Sequence, residues 1–276
     1  MNVVQKLIEA DRVSPKLILV VGDGMTDIYI HGRLEDSCQE GCQKFVEKER
    51  VVVPGGAANA ARSLKYWRTE VPAFYAYGPK GPIKTRFMDV SRCTFRHDND
   101  YVDGNQSSIR QGVIDALRSS IPFDALLQPS AVLLSDYDKG MLTPEFIKEI
   151  VETCKRLGIP CVADVKRAPE TYQGAILKGN VDWIERHRYS PDVLTRGEKQ
   201  PIVDGYWFVG LSNPVPCVNH VGSGDCFAAH LTLALAHGFS LRDAAAIAHS
   251  AGRVYVQFPH NRPPRPDEIA EDMGSA

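Results

Sequence analysis

The 276-residue chain is long enough for one large α/β domain or two small ones, and it needs no disulfide or metal staple to hold a core. Its 32 basic and 34 acidic residues leave a net charge of −2, which excludes the basic surface of a nucleic-acid binder or an anionic-membrane binder. Seven scattered cysteines, Cys38 and Cys42 the nearest pair, include no Cys-x-x-Cys and no ligand-spaced histidine, so no metal-ligand set is read.

Met1–Arg12 reads as a short amphipathic helix with Val3, Val4, Leu7 and Ile8 on one side, unlike the continuous apolar stretch of a secretory signal. No later run approaches the ~20 apolar residues that span a bilayer. The expectation is a soluble, cytoplasmic protein with reduced thiols. Leu17–Val21 is a continuous apolar run ending in Gly22-Asp23, as in a buried parallel strand. Residues 28–32 and 43–53 read as extended, joined by a polar connection. The segment Pro54-Gly-Gly-Ala-Ala-Asn-Ala-Ala61 then opens a helix over 56–66. Gly55 and Gly56 offer a side-chain-free floor for a small polar ligand, and Asn59, one turn in, offers donors and acceptors to hydroxyls. Alone, these residues read equally as a close-packed turn before a small-residue helix. A strand near Glu70–Tyr77, short strands Ile83–Met88 and Cys93–His97, and a helix over 105–119 with Ile109, Val113 and Leu117 aligned come next.

From Ala131 strands and helices alternate. Strand Ala131–Ser135 precedes helix Pro144–Leu157, with Thr143 as N-cap and Gly158 as stop. Pro160–Asp164, Ala175–Leu177, Asp192–Thr195 and Tyr206–Val209 read as strands, and helices 225–237 and 241–256 close the chain around Gly238. This order predicts an α/β fold with a doubly wound, mostly parallel sheet, whose ligands sit beyond the carboxyl ends of the strands. Asp23, Ser135-Asp136, Asp164 and Thr195 all fall there.

The turn Gly222-Ser223-Gly224 delivers Asp225 to the first turn of a long apolar helix. Glycines let backbone amides approach an anion, and the orphan N–H groups of a helix start favour negative charge. A carboxylate beside that anion hole can take a proton from a hydroxyl while the amides hold a phosphoryl group. By itself the stretch also reads as a glycine-led helix with an acid near its N-cap. His220 and His249 read as packed or surface histidines.

Together, Gly55-Gly56…Asn59 and Gly222–Asp225 resemble the paired signatures of the PfkB, or ribokinase-like, carbohydrate kinase family, most closely the branch that phosphorylates heptose 7-phosphate. Val20–Asp27, Leu133–Gly140, Cys161–Lys166 and Leu194–Glu198 match in the family's order, over about residues 17–269. The resemblance implies one ribokinase-like domain over 1–276, with residues 28–53 as a β-lid that can also mediate a homodimer. It implies ATP and Mg²⁺ as cofactors and a small-molecule sugar or sugar phosphate as substrate. Asp225 would be general base, with Gly222, Ser223 and Gly224 as the anion hole. Asp27, Gly55, Gly56 and Asn59 would hold the sugar, and Lys84, Arg86 and Arg96 an anionic substituent such as its phosphate. Asp136, Lys139, Asp164, Lys166, Asn180, Thr195, Arg196 and Gly197 would lie on the nucleotide side. On their own, Asp27 reads also as a capping carboxylate, the basic trio as a solvated strand face, and the last group as ordinary strand-end polar residues.

Three departures from the family pattern stand out. Asn219 and Val221 replace an Asp and a Thr ahead of the catalytic glycines. The family's Asn-x-x-Glu, aligned at Asn180, ends in Trp183, with Glu185 displaced by two. The chain is short between Tyr77 and Lys84 and between Asn180 and Thr195. These departures admit an alternative, a catalytically silent sugar- or nucleotide-binding protein on the same fold.

Overall fold

The computed structural model describes residues 1–35, 40–75, 81–90, 92–100, 106–118 and 129–274. Strand β1 (Ile18–Gly22) leads into two long strands, β2 (Gly24–Glu35) and β3 (Lys44–Gly56), followed by β4 (Ala73–Tyr75), β5 (Ile83–Asp89) and β6 (Arg92–Asn99). The second half adds β7 (Ala131–Ser135), β8 (Cys161–Asp164), β9 (Ile176–Asn180), β10 (Val193–Arg196), β11 (Lys199–Val203) and β12 (Trp207–Phe208).

Among the described residues these strands form two sheets. The larger has the order β12-β11-β10-β9-β8-β7-β1-β4, parallel from β4 to β10 and antiparallel at its β11 and β12 end. Every residue of β1 and of β7 is buried, because helices cover both faces. Side chains alternate between those faces. Ile18, Val20, Leu133 and Val162 join one apolar cluster, while Leu19, Val21, Val132, Leu134 and Ala163 join the other.

Helices α1 (Val3–Val13), α2 (Ala57–Ser63), α6 (Ser223–Ala236), α7 (Leu241–Val256) and α8 (Pro266–Gly274) cover the first face. Helices α3 (Ser107–Arg118), α4 (Pro144–Leu157) and α5 (Val181–His187) cover the second. Every residue from Asp225 to Ala234 of α6 is buried, so this helix is central to its layer. Helix α4 has the termini expected: the Thr143 hydroxyl accepts from the Phe146 amide at 3.3 Å, and Gly158 adopts φ 67°. Among the described residues no helix is long and apolar enough to cross a membrane.

The smaller sheet, β3-β2-β5-β6, pairs β2 with β5 in parallel and the outer pairs antiparallel. It contains the 28–53 hairpin and adds β5 and β6, which the sequence shows only as two short strands of unstated partnership. Other elements are new. Lys199–Val203 forms β11 although it contains Pro201, whose carbonyl accepts from the Val209 amide at 3.1 Å. Helix α8 starts at Pro266 with Asp267 and Glu268 in its first turn, a start signal present in the sequence. Within the expected strand 70–77 and helix 105–119, residues 76, 77, 105 and 119 lie outside the described residues, as does Cys38.

Candidate active site

The start of α6 is built around Gly222. Its φ is 82°, and a Cβ there would stand 2.4 Å from Asn59 Nδ2 and 2.5 Å from the Tyr255 hydroxyl. Both backbone conformation and space therefore demand glycine. Asp225 follows in the first turn and is 3% exposed. Its Oδ1 accepts from the Tyr137 hydroxyl at 2.5 Å and its Oδ2 from Asn59 Nδ2 at 2.9 Å. Burial pushes the Asp225 carboxyl up to about 7, against the lowering effect of the bonds from Tyr137 and Asn59. A carboxylate poised there is suited to exchange a proton near neutrality.

One side of Asp225 faces the small sheet. Asn59 sits beneath it, also donating to the Gly222 carbonyl and to the Tyr255 hydroxyl at 3.2 Å each. Asp27 on β2 is buried and accepts from Arg86 Nη1 at 2.7 Å. The room left by Gly55 is filled by this carboxylate, whose Oδ2 would lie 2.4 Å from an added Cβ. The room left by Gly56 is filled by the Asp23 carbonyl, Met25 and the Tyr137 ring. In this structure the two glycines thus permit close packing around Asp27 and Tyr137. Lys84 holds its ammonium 5.3 Å from the Tyr137 ring centre, and burial, then Arg96, lowers its pKa. Arg96 lies opposite Arg86 on β6, exposed and paired with Asp98 through Nε at 2.6 Å. Lys84, Arg86 and Arg96 therefore occupy neighbouring positions on two strands.

Next to Asp225, though not lined by it, lies a cavity of about 350 Å³. Ser223 and Gly224 line it together with Asn180, Thr195, Arg196 and Gly197, so these six residues, separated in sequence, converge. His220 and His249 line it as well; His249 Nε2 lies 3.0 Å from the Leu211 carbonyl, and burial lowers its pKa. Lys178, which the sequence reading did not single out, reaches the same place from β9. Its Nζ lies 2.9 and 3.1 Å from the two Asp164 oxygens and 3.1 Å from the position of a Cβ on Gly224. It stands two residues before Asn180, on the strand from which it reaches Gly224, and that position was its sequence signal.

Four residues expected on the nucleotide side do not line the cavity: Asp164, held beside it by Lys178, and Asp136, Lys139 and Lys166, which turn elsewhere. Asp136 is buried, its oxygens taken by the Tyr172 hydroxyl at 2.5 Å, the Arg167 guanidinium and the Asp138 amide. Lys139 turns toward the small sheet and pairs with Asp100 at 2.7 Å. Lys166 is exposed, and its amide donates to the Tyr172 hydroxyl at 3.1 Å. Asn180 caps α5 by accepting from the Trp183 amide, and Trp183 is buried with its indole donating to the Arg167 carbonyl at 2.9 Å. The acid missing from Asn-x-x-Glu is thus replaced by a core side chain, while Glu185 is exposed.

A nucleoside triphosphate fits this donor set. The helix start and Lys178 suit phosphate oxygens, and the cavity volume suits a nucleoside. Among the described residues no group of three or more His, Cys, Asp or Glu could hold a metal on its own. Magnesium, however, keeps several waters and takes one or two carboxylates beside substrate phosphates, a need that Asp164 near Gly224 can meet.

No protein-family model matches the chain. In structure it is similar to the Escherichia coli phosphofructokinase-2 in complex with potassium, with a TM-score of 0.66, 14% identity and coverage of 95% of this chain and 99% of that one. The fold is ribokinase-like. The ribokinase-like architecture is likewise shared with the Arabidopsis thaliana ribokinase complexed with ribose and ATP, at TM-score 0.62 and 14% identity over 94% of this chain and 99% of that one. In sequence the chain is similar to the bifunctional protein HldE of Acidiphilium cryptum, 24% identical over 326 residues of alignment, covering 94% of this chain and 63% of that protein. The resemblance to ribokinase-like carbohydrate kinases drawn from the motifs is borne out. The chain spans less than two thirds of the length of the curated relatives it matches.

Proposed function

We propose that the chain is an ATP-dependent phosphotransferase acting on a hydroxyl of a sugar or sugar phosphate. The supporting observation is the position of Asp225, buried in the first turn of α6 next to the cavity-lining Ser223 and Gly224 and bonded to Tyr137, whose ring Lys84 faces from the strand that also carries Arg86, the partner of Asp27. In this reading Asp27 orients acceptor hydroxyls, and Lys84, with Arg86 and Arg96 beside it, favours an acceptor carrying a phosphate. Asp225 receives the proton of the attacking hydroxyl, and the α6 N-terminus with Lys178 stabilises charge on the transferred group. Magnesium, when bound with the triphosphate, supplies charge neutralisation. A heptose 7-phosphate is the acceptor favoured by the motif resemblance and by the HldE likeness. A cytoplasmic location and a homodimer through the small sheet belong to the same reading.

The test is ATP consumption with Mg²⁺ across sugars and sugar phosphates, heptose 7-phosphates included, with Asp225→Asn as control. Turnover on one acceptor that collapses in Asp225→Asn is the expected result. No turnover on any acceptor, with sugar binding retained in calorimetry, would instead identify the silent binder, a reading favoured by the buried Trp183 at the acidic position.

A further inference from the structure

Both oxygens of Asp225 are occupied. Each oxygen keeps a second lone pair, but Asp225 is 3% exposed and a hydroxyl it serves must come within roughly 2.6–3.2 Å, so one of the two side chains that cover it has to move before an acceptor can react. The two donors are not equivalent. Asn59 comes from inside α2 and is buried, and its amide reaches the Gly222 carbonyl and the Tyr255 hydroxyl as well as Asp225. Tyr137 comes from the loop after β7, is half-buried, and lies between Asp225 and the small sheet, with its ring edge against Gly56 and Lys84 over its face. Its backbone amide is anchored by Asp23 at 2.9 Å, so the phenol can swing away by side-chain rotation while the loop stays in place.

We infer that Tyr137 is a positioning residue that gates the base: its phenol holds Asp225 Oδ1 closed, and an acceptor hydroxyl takes over that hydrogen bond only when the rest of the acceptor engages Asp27 and Lys84. This inference rests on the proposed role of Asp225. The exchange replaces one O–H donor by another, so the net cost is that of displacing the ring. A sugar offsets that cost through its other contacts; a water molecule brings none. The device thereby protects a bound nucleoside triphosphate from hydrolysis. In that side reaction water oxygen bonds to the γ-phosphorus, and the bond from phosphorus to the β–γ bridging oxygen breaks with its electron pair leaving on the diphosphate. The water proton passes to Asp225.

The experiment is magnesium–ATP hydrolysis without any acceptor in wild type, Tyr137→Phe, Asp225→Asn and the double variant. Phenylalanine keeps the ring packing and removes only the donor. Tyr137→Phe is expected to hydrolyse ATP on the order of tenfold faster than wild type, with the gain erased in the double variant. A merely structural role for the phenol cannot produce an Asp225-dependent gain. Hydrolysis in Tyr137→Phe at or below the wild-type rate overturns the gate, while loss of heptose 7-phosphate turnover in Asp225→Asn in the same preparations keeps the base assignment intact. Wild-type turnover in Asp225→Asn overturns the base assignment itself. Carbon-13 NMR of protein labelled at tyrosine Cζ gives a reading independent of turnover. The Tyr137 resonance, identified by its loss in Tyr137→Phe, is expected to move in Asp225→Asn, and an unmoved resonance overturns the pairing on which the gate depends.

Discussion

Arg86 donates to Asp27 at 2.7 Å across neighbouring parallel strands of the small sheet, and both side chains are less than one-tenth exposed. Removing one member of a buried pair strands the other charge, at a cost of roughly 3–5 kcal/mol. Arg86→Met is therefore expected to lower the urea midpoint strongly. Arg96→Ala, which breaks the exposed pair with Asp98, should cost roughly 0–1 kcal/mol. Equal midpoints for the two variants would show that the Asp27 carboxylate does not need Arg86.

Asp225→Asn should lower turnover by on the order of 10²–10⁴ with a modest change in acceptor affinity. Steady-state rates and calorimetric binding on the same preparation separate the two effects.

The pH dependence follows from the raised Asp225 carboxyl, at about 7 against an ordinary 3.8. As a base it must be ionised, so kcat/KM should fall as pH drops below about 7. The stability effect has the opposite sense. Between about 4 and 7 the folded protein keeps a proton that the unfolded chain has lost, so this group lowers stability as pH rises through that window. Asp225→Asn should melt above wild type at pH 7.5, with the difference closing toward pH 4. Parallel melting curves for the two proteins across pH 4–8 would refute the raised carboxyl.

Gly222→Ala meets two obstacles, a φ of 82° and the contacts with Asn59 and Tyr255. Gly158→Ala meets a φ of 67° and nothing within 4 Å. The first should cost several kcal/mol and abolish turnover; the second should cost about 1 kcal/mol and leave the rate unchanged. Thermal melts and rates on both variants check this.

Lys178→Met should raise the KM for ATP and lower turnover, because it removes the ammonium beside Gly224 and frees Asp164 to repel phosphate. Rates at saturating and limiting ATP distinguish this from a folding defect, which would lower active protein without moving KM.

Much of the large sheet was legible because its signals are local. The apolar runs at Leu17–Val21 and Ala131–Ser135, the Thr143 cap and the Gly158 stop each follow from neighbouring residues. The glycine turns and Asp225 were legible too, since backbone freedom and a helix start leave a compositional mark. The small sheet was harder, because β5 and β6 show strand character without showing which sheet they join. Lys178, two residues before Asn180, and Tyr137, inside the Leu133–Gly140 motif, both stand next to marked positions, but nothing local shows what their side chains meet. Asp136, Lys139 and Lys166 looked like members of one nucleotide cluster because they share strand ends, yet their side chains turn to Tyr172 and Arg167, to Asp100 and to solvent.

Sequence alone determined the α/β layering, the glycine turn ahead of Asp225 and the residue types available at the strand ends, since periodicity and glycine placement act over a few residues. Only the tertiary structure decided which of those residues meet. Asp225 closed by Tyr137 and Asn59, Asp27 neutralised by Arg86, and Lys178 set beside Gly224 are contacts between segments dozens to hundreds of residues apart, fixed by sheet order and helix packing that no local pattern encodes.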